Sequence, residues 1–153
     1  MKKENLFSKT DNYTYQEKQN LDFEYLENLL LKIEINLINE NDSELQSKVD
    51  YVINEMPQKN SDGKLNYKTK HLNEISNLQT YVEEKYNFIK KNRHRNKYFG
   101  MGIPLGMIFG LPIASAIDNI ALGPVIGFPI GMIVMAIIGN RLDKKAEKEN
   151  KVL

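Results

Sequence analysis

Few residues in this chain have the types and spacing that bond-making chemistry requires. The two histidines, His71 and His94, lie far apart, and neither has a second ligand at helical spacing, so a histidine-built metal site is not expected. Gly100-x-Gly102-x-x-x-Gly106 approaches a dinucleotide loop, but its last gap is one residue too long, Pro104 interrupts it and no strand pattern precedes it. Gly63-Lys64 is followed by Leu65 and lacks the upstream glycine of a phosphate loop. No serine sits in a nucleophile elbow, and the absence of cysteine removes thiolates and disulfides together. The acidic residues are spread along helix surfaces, where carboxylates are ordinarily solvated. The expectation is a non-enzymatic protein with no cofactor and no metal.

The spacing that stands out concerns packing. Residues 98–140 contain one formally charged side chain, Asp118, and small residues recur there every fourth position: Gly102, Gly106, Gly110 and Ala114, then Gly123, Gly127 and Gly131, with Gly139 further on. A bilayer core takes about 20 apolar residues as helix, so the stretch is too long for one span and suits two, 98–117 and 120–139. A carboxylate at mid-bilayer costs about 3 kcal/mol or more, which places Asp118-Asn119 at the turn, where either residue can cap the second span. Lipid tails are as apolar as leucine, so spans associate by close approach over small residues rather than by escape from water. A turn between Asp118 and Asn119 sets Gly106 against Gly131, Gly110 against Gly127 and Ala114 against Gly123. Deeper in, Gly102 falls against Met135 and Tyr98 against Gly139. If residues 118–122 all form the loop and Pro124 opens the second helix, the pairing slips.

Gly102-Ile-Pro-Leu-Gly-Met-Ile recurs as Gly127-Phe-Pro-Ile-Gly-Met-Ile, running the other way across the bilayer in a hairpin. Pro112 and Pro129 would free the carbonyls of Ile108 and Val125, which either bind ions, as in transporters, or are satisfied by neighbours at a packing kink. With no charge at depth and only two spans, packing is the expectation.

Charge sets the orientation. Residues 1–89 carry 11 Lys/Arg and 16 Asp/Glu, whereas 90–97 carry five basic residues and no acid. Lys90, Lys91, Arg93, Arg95 and Lys97 precede the first span, and Arg141, Lys144 and Lys145 open the tail after the second. Basic residues stay on the cytoplasmic side, so both termini are expected there and the Asp118-Asn119 turn outside. Beside a membrane span the basic collar serves topology and anionic headgroups, at about 1 kcal/mol per charge, and nucleic acid is not an expected partner. The polar start offers no apolar core for a cleaved secretory signal. The wealth of Asn, Lys and Ile suits an AT-rich bacterial genome.

Before the collar the chain reads as all-α. Residues 1–12 are unpatterned and expected to be a disordered tail. Residues 13–92 form a soluble domain of two to three helices. Thr14-x-x-Glu17 fits a capping box, and Phe23, Leu26, Leu30, Ile33 and Leu37 make a seam at spacings of three and four. Asn41-x-x-Glu44 can cap a second helix with Leu45, Val49, Val52 (with Ile53) and Met56 inward, closed by Pro57. The two seams can also belong to one bent helix. Asn60-Ser61-Asp62-Gly63 is a turn, and a third helix from about Tyr67 turns Leu72, Ile75, Leu78 (or Gln79), Val82, Tyr86 and Ile89 inward. The seams suit an intramolecular bundle or coiled-coil contacts between chains. Tyr15, Tyr25, Tyr51, Tyr81 and Tyr86 are expected to supply much of the burial. Residues 93–97 form the basic collar, 98–140 the two-span antiparallel transmembrane hairpin, and 141–153 a charged cytoplasmic tail.

The run Ala116-Ile117-Asp118-Asn119-Ile120-Ala121-Leu122-Gly123, the surrounding Gly-x-x-x-Gly spacing and the ending Asp143-Lys144-Lys145-Ala146-Glu147-Lys148-Glu149-Asn150 resemble glycine-zipper membrane hairpins of small bacterial membrane proteins. The resemblance covers the last third of the chain and implies membrane insertion and close helix packing. Met135 departs from the zipper spacing. The expected function is to anchor a cytoplasmic interaction domain that takes a protein partner, with the glycine face able to join copies of the chain. The rival is a membrane-permeabilising or channel-forming protein, toxin or holin-like, assembled from hairpins in the bacterial inner membrane.

Overall fold

The computed structural model describes residues 2–66 and 69–153. Seven helices and no strand occur among them: α1 (Lys2–Thr10), α2 (Tyr15–Asn20), α3 (Phe23–Glu34), α4 (Ser43–Asn54), α5 (Thr69–Tyr86), α6 (Arg93–Ala116) and α7 (Leu122–Lys148). They divide into two compact units, residues 1–89 with Leu153, and residues 90–152.

The first unit is an intramolecular bundle. Leu26, Leu29, Leu30 and Ile33 of α3, Leu45, Val49, Val52 and Ile53 of α4, and Ile75, Leu78 and Val82 of α5 share one buried core. These are the apolar stripes that three-and-four spacing places on one helical face. The fold is therefore all-α, with five helices in this unit rather than two to three.

Residues 2–10 are helical, not a disordered tail. One fully buried anchor, Leu6, holds α1 to the core; the buried Thr10 hydroxyl donates to the Leu6 carbonyl (2.8 Å). The Lys9 ammonium donates to the Ile53 carbonyl (3.2 Å) and Asn54 Oδ1 (3.1 Å). A cation there answers the negative end of α4.

Thr14 caps α2 through a complete capping box with Glu17, but that helix lasts only six residues. Asp22, at φ 54°, breaks the chain and α3 starts afresh at Phe23. Asn36, at φ 57°, ends α3, with Asn36 N–H bonded to the Ile33 carbonyl and Leu37 N–H to that of Lys32 (both 3.0 Å). This is a Schellman termination. It takes Leu37 off the helical phase, so Leu37 is exposed and Ile38 fills the core instead. The α3 and α4 seams thus belong to separate helices.

Asp42, not Asn41, caps α4 by accepting the Leu45 N–H, and Met56 is buried just before Pro57. At the next turn Asn60 Oδ1 accepts from the Asp62 and Lys64 amides (3.1 and 2.9 Å), and Gly63 takes φ 73°. The expected start of the third helix near Tyr67 lies outside the described residues; α5 is described from Thr69. Its buried stripe is His71, Ile75, Leu78 and Val82, so Leu72 is exposed and the histidine takes the inward place. Among the tyrosines, Tyr25 and Tyr13 are buried, Tyr81 and Tyr86 are partly buried, and Tyr15 and Tyr51 are exposed, contrary to expectation. Leu153 also leaves the expected tail for this core, its amide donating to the Ile89 carbonyl (2.9 Å).

Candidate functional site

The second unit is an antiparallel helical hairpin. Both α6 and α7 are long and apolar enough to cross a membrane, and 22% of each apolar window is buried, where a soluble core helix would be mostly buried. The exposed remainder is large side chains, among them Phe99, Ile108, Phe109, Ile113, Val125 and Ile133. Pro104, Pro112 and Pro129 lie within the helices on this exposed side, so Pro112 and Pro129 do not gather the Ile108 and Val125 carbonyls into the interface.

The turn closes α6 from the backbone. Asp118, at φ 52°, sends its N–H to the Ser115 carbonyl (3.2 Å), and Asn119 N–H bonds to that of Ala114 (3.0 Å), another Schellman pair. Neither side chain caps α7, whose N-cap is Ala121 without a side-chain bond. A short polar residue tolerates the left-handed region locally, and that is the service Asp118 performs.

Every buried position between Gly102 and Gly139 on these helices is a glycine or alanine: Gly102, Gly106, Gly110 and Ala114 on α6, and Gly123, Gly127, Gly131 and Gly139 on α7. Each glycine of the central stripe lies between two partners. A β-carbon on Gly127 would sit 2.9 Å from the Gly106 carbonyl carbon and 3.0 Å from Gly110 Cα; one on Gly131 would sit 2.6 Å from Gly106 N and closer still to the Gly102 oxygen. Gly123 fits between Gly110 and Ala114. The pairs 106/131, 110/127 and 114/123 are therefore adjacent, together with 102/131, 106/127 and 110/123. The slipped register does not occur. Gly102 meets Met132 and Gly131 rather than Met135, and Gly139 lies on His94 and Arg95 rather than on Tyr98.

The pairs 102/131 and 106/127 join the two copies of the seven-residue repeat, first glycine to last, as a local two-fold axis requires. Across them an added carbon on Gly106, Gly127 or Gly131 would lie nearest a carbonyl oxygen of the opposite helix, and one on Gly102 nearest Met132 Cα. Such close approach of Cα to carbonyl oxygen suits Cα–H···O contacts, worth about 0.5–1 kcal/mol each, and only glycine permits it.

The basic residues gather at the open end. Residues Arg93–Lys97, expected to precede the span as a collar, are the first turns of α6, and residues 141–148 continue α7 without a break. Lys91, Arg95, Lys97, Arg141, Lys144 and Lys145 are exposed, while Lys90 and Arg93 are half-buried. Basic residues at a helix N-terminus oppose its dipole. Asp143 supplies the remedy: 5% exposed, it accepts His94 N–H on Oδ1 (3.0 Å) and Arg95 N–H on Oδ2 (2.9 Å). Arg93 N–H bonds to the Lys90 carbonyl and Asn96 N–H to that of Asn92 (both 3.0 Å), so every amide from Arg93 to Asn96 has an acceptor. The sequence reading missed Asp143 as a site residue because a carboxylate among lysines reads as solvated. The available signal was its place four residues after Gly139, on the same stripe.

A second buried carboxylate was also missed. Asp42 accepts from the Tyr86 hydroxyl (2.6 Å), the Tyr81 hydroxyl (2.9 Å) and the Lys85 ammonium (2.9 Å), besides capping α4. Burial works to raise its pKa, but the bonds from Tyr86, Lys85, Tyr81 and Leu45 outweigh it and hold the carboxyl well below the usual range. Tyr86 is pushed up to about 12, by burial first and then by Asp42. The cluster fastens α5 to the start of α4 and lies in no described cavity.

Comparison with protein-family models, curated proteins and solved structures returns no match.

Proposed function

We propose that this is a non-enzymatic membrane protein in which a glycine-zipper hairpin fixes a cytoplasmic helical interaction unit to the bacterial inner membrane. One observation carries the reading: α6 and α7 spend their glycines on each other and present large apolar side chains outward. In water such a surface would drive aggregation, whereas lipid matches it. The basic residues of both helices lie at one end, and that end faces the cytoplasm by the charge rule, with Asp118-Asn119 on the far side. The lipid bilayer is the first partner, and the acidic bundle of residues 1–89 is the surface offered to a protein.

This arrangement favours a tether over a pore of assembled hairpins, because the glycine faces that would join neighbours are occupied within each chain. Single cysteines test the topology in a chain that has none of its own. In intact cells a membrane-impermeant thiol reagent should label Asp118→Cys and spare Lys97→Cys and Lys144→Cys, with the protein resisting carbonate extraction. Labelling of all three, or release by carbonate, overturns the reading. Dye release from proteoliposomes that is lost in Gly106→Leu would establish the pore instead.

A further inference from the structure

We infer that His71 is an acid-sensitive switch in the helical unit, loosening the α5 packing when its imidazole takes up a proton. His71 is 1% exposed, and both ring nitrogens lack a hydrogen-bond partner. It occupies the first inward position of α5, on the stripe continued by Ile75, Leu78 and Val82, where leucine would fill the space without a polar atom. A buried neutral imidazole without a partner is tolerable; a buried imidazolium needs acceptors for two N–H groups. The charged groups facing it are Asp22, from the α2–α3 junction, and Glu55, at the end of α4. Neither bonds to the ring. Asp22 accepts from Gln79 Nε2 (2.8 Å), and Glu55 is paired with Lys70 at 3.6 Å. Their carboxylates draw the proton inward, but burial outweighs them and pushes the imidazole below its ordinary value of 6.5.

The folded state therefore binds this proton less readily than the open state does. Stability from the site is complete above about pH 6.5 and declines as pH falls from there towards the lower folded value. Opening of the α5 seam should rise by up to about tenfold per pH unit across that window, the limit set by one proton. The other shifted carboxyls, Asp42, Glu17 and Glu149, all move downward and titrate below the window.

Hydrogen exchange on the full chain in lipid nanodiscs, corrected for intrinsic exchange chemistry, reads the opening at Ile75, Leu78 and Val82 between pH 7.5 and 5.5. The wild type should open more in acid, and His71→Leu and His71→Gln should be flat. His94, in the other unit, is common to all three proteins and cancels. A flat wild type, or an unchanged slope in the variants, overturns the switch. Should His71→Leu fail to fold, His71→Gln and an NMR titration of the wild-type ring decide: a folded-state midpoint at or above 6.5 refutes it.

Discussion

Replacing Gly127 by alanine tests the hairpin most directly. The new methyl would lie nearest the Gly106 oxygen, 2.9 Å from the Gly106 carbonyl carbon and 3.0 Å from Gly110 Cα, all of it backbone that cannot rotate aside. Restoring ordinary contact requires the helices to part by about 1 Å, and such a gap forfeits a quarter to a half of each dispersion well across the seam. Within lipid no hydrophobic gain offsets this. Overpacking of this kind costs about 1–3 kcal/mol, or roughly five- to 150-fold in the closed-to-open equilibrium. Gly100→Ala is the control: nothing lies within 4 Å of its added carbon, and helix propensity favours alanine by about 1 kcal/mol. Spin labels at Met101 and Val134, both on the exposed side, would report the separation in nanodiscs by electron–electron distance measurement. The wild type and Gly100→Ala should give one narrow distribution, and Gly127→Ala a longer, broader one. Equal distributions for Gly127→Ala and the wild type would refute the packing argument, and equal damage from Gly100→Ala would refute its specificity.

Three other expectations follow from the same contacts. Asp143→Ala strands the His94 and Arg95 amides at the start of α6; losing two charge-assisted bonds costs about 1.5–3 kcal/mol, so their exchange should quicken at least tenfold while amides near Gly110 are unchanged. An ideal β-carbon on Gly123 lies 3.3 Å from that of Ala114, close to the roughly 3.5–4.5 Å of disulfides, so the Ala114→Cys/Gly123→Cys double variant should cross-link within one chain and run as a monomer on non-reducing gels. The Asp42 cluster should hold over a wide pH range. Its carboxyl is depressed, so that stability is present above about pH 4 and lost as pH falls through the folded value; Tyr86 is raised, so stability is complete below pH 10 and declines towards 12. Urea titrations followed by circular dichroism should show both losses in the wild type, with the acid one reduced in Asp42→Asn.

The apolar seams of the bundle and the small-residue stripe were legible because burial imposes a period, and a period survives in sequence. Positions that depend on one atom did not announce themselves. Leu6 is a single anchor without a repeat, so nothing distinguished α1 from a tail. Asp22 splits the first expected helix through its backbone angle while its neighbours keep the apolar spacing. Leu72 and His71 compete for one inward place, and hydrophobicity alone favours leucine; the continuation through Leu78 and Val82 selects the histidine. Asp42 and Asp143 were hidden for a shared reason. Each is buried by partners far along the chain, so a local reading of charge assigns both to solvent.

The division of labour among small residues argues that the close-packed hairpin itself, and not apolar length alone, is what the sequence specifies. Of nine glycines, only Gly63 occupies a left-handed position; among the described residues the other such positions are held by Asp22, Asn36, Asn87, Asn92, Asp118 and Asn150. The other eight glycines lie inside α6 and α7, where each costs a helix about 1 kcal/mol relative to alanine. Two leucine-rich helices of the same length would avoid that cost and be just as apolar. Glycine gains something only where two backbones meet, and six of the eight stand where an added carbon would strike backbone at 3.0 Å or less. Of the other two, Gly100 has open space around it, and Gly123 faces the Leu111 and Ala114 side chains beside the turn. The contacts extend from there to Gly139, and Asp143 closes the far end onto the first amides of α6. The two helices are thus fixed to each other along their common length, as one packed hairpin requires.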